Sequence, residues 1–271
     1  MKRERIFYLD FIRALAVILI LLTHYNALFL YMDPQPLDKV VITYRICNLY
    51  IGDFGVSLFF IMMYVYENSC NLAKFYKKRF VAIYPMFWIT YIIAFVIQKL
   101  VYHADYSGIP KQNILYTIFG FDSYYAAVKP TFFIIGEWFL GCIILVYILF
   151  PLLRWGANKH PGTFSAAIIL VYLLSIVCYQ TGLSKAELVT VRLPEVFFGM
   201  LYMKYFKKTN WKVALGALAV LIANTILSPA FNSNIQTTYV GIAAFLVLTF
   251  IAKYMECGVV KAICSFLSKY A

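Results

Sequence analysis

Apolar residues in this chain come in long runs, separated by short stretches where lysine, arginine, asparagine and proline gather. The runs cover residues 7–31, 50–68, 81–102, 131–152, 163–182, 188–206, 212–229 and 237–254. A helix rising 1.5 Å per residue needs about 20 such residues to cross the hydrocarbon core of a bilayer. The pattern therefore predicts an all-α, polytopic membrane bundle of about eight transmembrane helices. Residues 113–127 are only moderately apolar. Counting them as a span would reverse every later helix, so they read as an external or re-entrant segment. Residues 258–271 mix apolar positions with Lys261, Ser265, Ser268 and Lys269. They read either as a segment on the inner surface or as the start of a span that the chain does not finish. No low-complexity linker or internal repeat interrupts the pattern, and residues 1–271 read as a single membrane domain.

Composition agrees with this. Of 271 residues, 63% are hydrophobic and 13% charged, against about half and about a quarter in soluble domains. The net charge of +12 would suit a nucleic-acid binder only if it formed a basic face with accessible aromatics. Here the cations sit in clusters between apolar runs, so no nucleic-acid partner is expected. With the amino terminus in the cytoplasm of a multi-pass cell-membrane protein, sixteen of the 24 lysines and arginines fall on the inner side. Six fall outside, which is the asymmetry that orients membrane proteins. The basic start resembles a secretory signal, but the following run is a full span carrying Asp10, Arg13 and His24, so it reads as a retained first helix. Six dispersed cysteines without a CxxC pair indicate neither a disulfide framework nor a metal site.

The ionisable residues inside the runs are the candidates for chemistry, because in lipid such groups face partners or wet cavities. Eleven residues separate Arg13 from His24, a step that returns to within about 20° of the same helix face and rises about 16 Å. Asp10 stands at ion-pairing distance, one turn before Arg13. The plainer alternative is that Arg13 snorkels to the inner interface and His24 caps the outer end. Glu137 and Trp138 fall in the fourth run, while Arg192 and Glu195 lie one turn apart in the sixth, where they form either a buried ion pair or part of a site. Lys74, Lys77, Lys78 and Arg79 precede the third run. They either meet anionic lipid at the inner surface or hold the phosphates of a cytosolic molecule.

The stretch LDFIRALAVILILLTH, residues 9–24, resembles the opening of the acyltransferase-3 family of multi-spanning membrane O-acyltransferases, in which an Arg is followed eleven residues later by a His. GVSLFF from Gly55, KFYKKRFVAIYP from Lys74, WFLGCIILVYILFPLL from Trp138 and RLPEVFFGM from Arg192 are similar to its later landmarks, in the same order. The resemblance implies transfer of an acetyl or similar acyl group from cytosolic acyl-CoA, such as acetyl-CoA, to a hydroxyl of a cell-surface carbohydrate or lipid-linked saccharide. The donor is a substrate, and no permanently bound cofactor is implied. It places Arg13 and His24 as the catalytic pair and Lys77, Lys78 and Arg79 near the CoA phosphates. Asp10, Glu137, Trp138, Arg192 and Glu195 support them. The chain departs from the family pattern at Met63, Tyr64 and Ala82, where a Ser-Gly pair and a second arginine are usual, and its end at Ala271 stands where members enter a last helix. The enzyme is therefore expected to be impaired or incomplete.

Within that reading, His24 serves as general base or transient acyl carrier, since histidine exchanges a proton near neutral pH. Two other classes compete. A transporter or flippase for a polysaccharide precursor would also line its path with ionisable residues, and a noncatalytic, truncated relative could serve a polysaccharide-synthesis complex.

Overall fold

The structure, a computed structural model, describes residues 6–30, 32, 34–42, 45–63, 71–132, 138–180 and 182–269. No strand occurs among them, and helices dominate. In chain order these are α1 (Phe7–Leu30), α2 (Ile51–Met62), α3 (Leu72–Leu100), α4 (Ile114–Phe119), α5 (Asp122–Ala126), α6 (Trp138–Lys159), α7 (Pro161–Cys178), α8 (Val189–Leu201), α9 (Trp211–Leu227), α10 (Ser233–Ala252) and α11 (Gly258–Lys269). Five of them, α1, α3, α6, α7 and α10, are long and apolar enough to cross a membrane, and α2 and α9 are shorter apolar helices. The chain is a polytopic all-α membrane protein.

Each predicted run contains a helix, but the ends differ for identifiable reasons. Hydropathy marks the lipid-facing part of a helix, whereas capping fixes its ends. Thus α3 begins nine residues earlier than the apolar run, at the Asn71 cap, whose side chain accepts from the Lys74 N–H at 3.2 Å. The basic cluster lies on its first turns rather than before it. Helix α6 likewise continues to Lys159, past the apolar run's end at 152. Residues 113–127 form the two short helices α4 and α5, hinged at Gly120 with φ of 75°. Six and five residues are too few to cross a bilayer.

The chain divides into two compact units, Met1–Tyr66 with Pro194–Ala271, and Glu67–Leu193. In the first unit, α2 is buried on nearly every side. Its Gly55 lies against the backbone of Ala16, a Cβ at Gly199 of α8 would fall 1.9 Å from the Ile61 carbonyl oxygen, and one at Gly241 of α10 would fall 1.9 Å from Ser57 Oγ. Absent side chains thus let α1, α8 and α10 close around a short central helix. Leu9, Ile12, Ala16 and Leu19 of α1 supply one helical stripe of this core, joined by Leu58 and Ile61 of α2 and Val240 and Phe245 of α10. Phe7 and Ala14 face Ala252 and Cys264, so α11 packs beside the start of α1.

In the second unit α3 stays largely exposed, as a lipid-facing helix does. It is fastened by Tyr84 and Trp88, which donate to the Phe119 and Ile118 carbonyls at 3.1 and 3.0 Å, and by Phe75, stacked on Phe150 at 4.2 Å.

Candidate functional site

Two ends of α1 carry the chemistry proposed for it. At its N-terminal end the buried Asp10 carboxylate lies 3.5 Å from Arg13 Nη1. Ser268 of α11 closes a triangle: its hydroxyl accepts from Arg13 Nη1 at 3.1 Å and donates to Asp10 Oδ1 at 2.5 Å. Asp10 thereby fixes the fork of a half-buried guanidinium, as charge-assisted bonds can. Beside it, burial and then the Asp10 carboxylate push the Cys264 thiol up, so this cysteine stays protonated.

His24 stands about 16 Å further along by helical rise, near the opposite end of α1. Its side chain is exposed and has no hydrogen-bond partner among the described residues. Its neighbour Thr23 packs against Gly52, where a Cβ would meet the Thr23 methyl at 2.9 Å. Two residues beyond His24, the buried Asn26 pins the following loop by a pair of hydrogen bonds with Val41, donating to its carbonyl at 2.6 Å and accepting from its N–H at 2.9 Å.

Glu195 is fully buried and accepts from the Ser57 hydroxyl at 2.6 Å. Ser57 is the polar residue on the apolar face that α2 turns toward α8 and α10. Both belong to the first unit, like Asp10, Arg13 and His24.

The second unit carries the other candidates. Arg192, only 1% exposed, donates from Nε to the Ala186 carbonyl at 2.8 Å. In the same turn burial raises the Glu187 carboxyl, and the Glu187 carbonyl accepts from Tyr124 at 2.7 Å. Lys77 and Lys78 are exposed on α3, whereas Arg79 is half-buried, its guanidinium over the Phe75 and Tyr147 rings at 5.4 and 5.1 Å. Cation–π stacking orients this arginine and leaves the lysines to solvent. Trp138 opens α6, half-buried, with its ring edge-on to Phe139. Glu137 and Tyr64 lie outside the described residues, Met63 caps α2, and Ala82 is exposed on α3.

Ser268 and Ser57 are the residues that the sequence analysis did not single out as site members. Only Ser57 carried a signal in the sequence itself. Ser57 is a hydroxyl in an apolar run, where a polar group needs a partner. Ser268 falls one turn after Cys264, on the face that also carries Val260 and packs on α1.

The acyltransferase-3 family, described as an acyltransferase domain, matches residues 6–271. An uncharacterised protein of Haemophilus influenzae is 24% identical over 216 residues, covering 69% of this chain and 87% of that protein. No solved structure matches.

Proposed function

The chain belongs to the acyltransferase-3 family, and from that membership we propose that it moves an acetyl or similar acyl group from cytosolic acyl-CoA to a hydroxyl of a cell-surface carbohydrate or its lipid-linked precursor. The observation that carries the reading is α1 itself, with Arg13 tied to Asp10 and Ser268 at one end and an open His24 toward the other. In the proposed orientation Arg13 is on the donor side and His24 near the outer face. The acceptor oxygen bonds to the thioester carbonyl carbon, the carbon–sulfur bond breaks, and the proton from the hydroxyl ends on the departing CoA thiolate. His24 either withdraws that proton or first carries the acyl group itself. Lys77, Lys78 and Arg79 supply cations for the CoA phosphates.

The test is purified protein in lipid nanodiscs, supplied with radiolabelled acetyl-CoA and the surface polysaccharide of its host. Free CoA thiol should appear in step with alkali-labile label on the polysaccharide. Saccharide movement across the bilayer with no thioester consumed would overturn the reading in favour of a transporter.

A further inference from the structure

We propose that the cavity beside the C-terminal end of α1 holds the acceptor, and that Arg45 selects a sugar bearing an anionic substituent. The inference rests on the acyl-transfer reading and deepens it. The cavity, about 340 Å³, lies between the loop before α2 and the turn from α9 to α10, with Arg45, Asn48, Ser228, Phe231, Ser233 and Gln236 in its wall. That volume falls in the range of small-molecule sites. Asn48 in this wall precedes by four residues Gly52, on which Thr23, the neighbour of His24, packs, so the cavity opens at the same end of the unit as His24.

Its polar groups suit a molecule rich in hydroxyls. Gln236 donates to the Pro229 carbonyl at 2.7 Å, and Asn48 spends its amide N–H groups on the Asn224 carbonyl and on Ser228 Oγ at 3.1 Å. The side-chain oxygens of Gln236 and Asn48 and the Ser233 hydroxyl have no partner among the described residues. A sugar hydroxyl, both donor and acceptor, satisfies such groups. Phe231 offers an apolar ring for the C–H face of a sugar.

Arg45 supplies the charge. Among the described residues its guanidinium makes one long bond, from Nη1 to the Asn48 carbonyl at 3.4 Å, which leaves donors for a planar carboxylate or a phosphate. Among the described residues, no carboxylate lines the cavity to compete with such a ligand. Hydrogen bonds also hold the backbone of the wall. Cys47, Asn48 and Ser228 occupy the left-handed region with φ of 49°, 63° and 40°. Such conformations persist in non-glycine residues where the surroundings impose them, and here Asn224 does so, donating to the Cys47 carbonyl at 2.7 Å while its own carbonyl accepts from Asn48.

The experiment measures binding of three disaccharides to the full chain in phosphatidylcholine nanodiscs: one ending in glucuronate, one in glucose 6-phosphate and one in glucose. The unmutated protein should bind at least one charged sugar about tenfold or more tightly than the neutral one, the favoured arm telling carboxylate from phosphate. Arg45→Gln should erase that preference and Arg45→Lys retain part of it, while Lys39→Gln, outside the cavity, should leave it unchanged. Equal affinities for all three sugars, or an undiminished preference in Arg45→Gln, would overturn the proposal. Consumption of acetyl-CoA by the unmutated protein separates the two readings. Selectivity without thioester turnover refutes acyl transfer, and turnover without selectivity refutes the acceptor site.

Discussion

Arg13 commits its fork to a carboxylate on its own helix and to a hydroxyl from α11, so its charge and its shape both matter. Arg13→Lys keeps the charge and loses the planar fork, and acyl transfer should fall about tenfold or more in the nanodisc assay. Ser268→Ala removes one neutral partner, worth about 1 kcal/mol, and should cost only a few-fold. Because the three residues share one triangle, combining Ser268→Ala with Asp10→Asn should be non-additive. His24 yields the sharper contrast. Exchanging it with Tyr25 rotates the imidazole by about 100° at almost constant depth, and position 25 is exposed and has room for it. A residue that merely caps or anchors the helix end tolerates this exchange. A base or acyl carrier must lie within about 3 Å of its substrate, so the exchange and His24→Ala should each lower transfer by about 100-fold or more with unchanged membrane insertion. Full-rate transfer by His24→Ala would sink the assignment. The Asp10 and Arg13 pair was legible because three-residue spacing is local arithmetic. The Ser268 bridge was not, since its partners lie 258 and 255 residues away and no periodicity in one helix reports on another.

Helix α2 owes its burial to glycines on the helices around it. Gly241→Ala places a methyl against Ser57 and Gly199→Ala places one against the Ile61 backbone, and overpacking of this kind costs about 1–3 kcal/mol. A Cβ at Gly216 of α9 meets nothing within 4 Å, so Gly216→Ala should gain about 0.5–1 kcal/mol through helix propensity. Thermal melts in detergent should therefore shift downward for the first two variants and upward for the third. A shift of Gly241→Ala in the same direction as Gly216→Ala would contradict the packing described for α2. On α3, Lys77→Gln with Lys78→Gln should weaken acetyl-CoA binding and flatten its salt dependence without changing the melt, because both are exposed. Arg79→Gln should lower the melt as well, since the guanidinium also packs on Phe75 and Tyr147. Unchanged binding in the triple variant would leave the cluster only an orienting role. The apolar runs predicted these elements. The extension of α3 back to Leu72 escaped that reading because the Asn71 cap lies in polar sequence, where hydropathy carries no information.

For the molecule as a whole, the chain groups into two compact units, the first assembled from both ends of the sequence. Spacing along the chain could not reveal this, because α1 meets α10 and α11 across about 200 residues or more. The first unit does contain an internal ruler for orientation. Helix α9 ends at Leu227 beside the Asn48 loop, at the His24 end of α1, and its 17 residues rise about 25 Å toward the other end. Lys39, which follows α1, and Lys208, which precedes α9, are both exposed and so lie at opposite ends of the unit. By the positive-inside rule, the excess of cations in the clusters containing Lys208 leads us to propose that end as the cytoplasmic one. In a cysteine-free background, Lys39→Cys should react with a membrane-impermeant maleimide in right-side-out vesicles, and Lys208→Cys should react only after permeabilisation. The reverse pattern would invert the orientation and move Lys77, Lys78 and Arg79 away from cytosolic acyl-CoA. Labelling of both sites in sealed vesicles would show that α1 and α9 do not cross the bilayer as a pair.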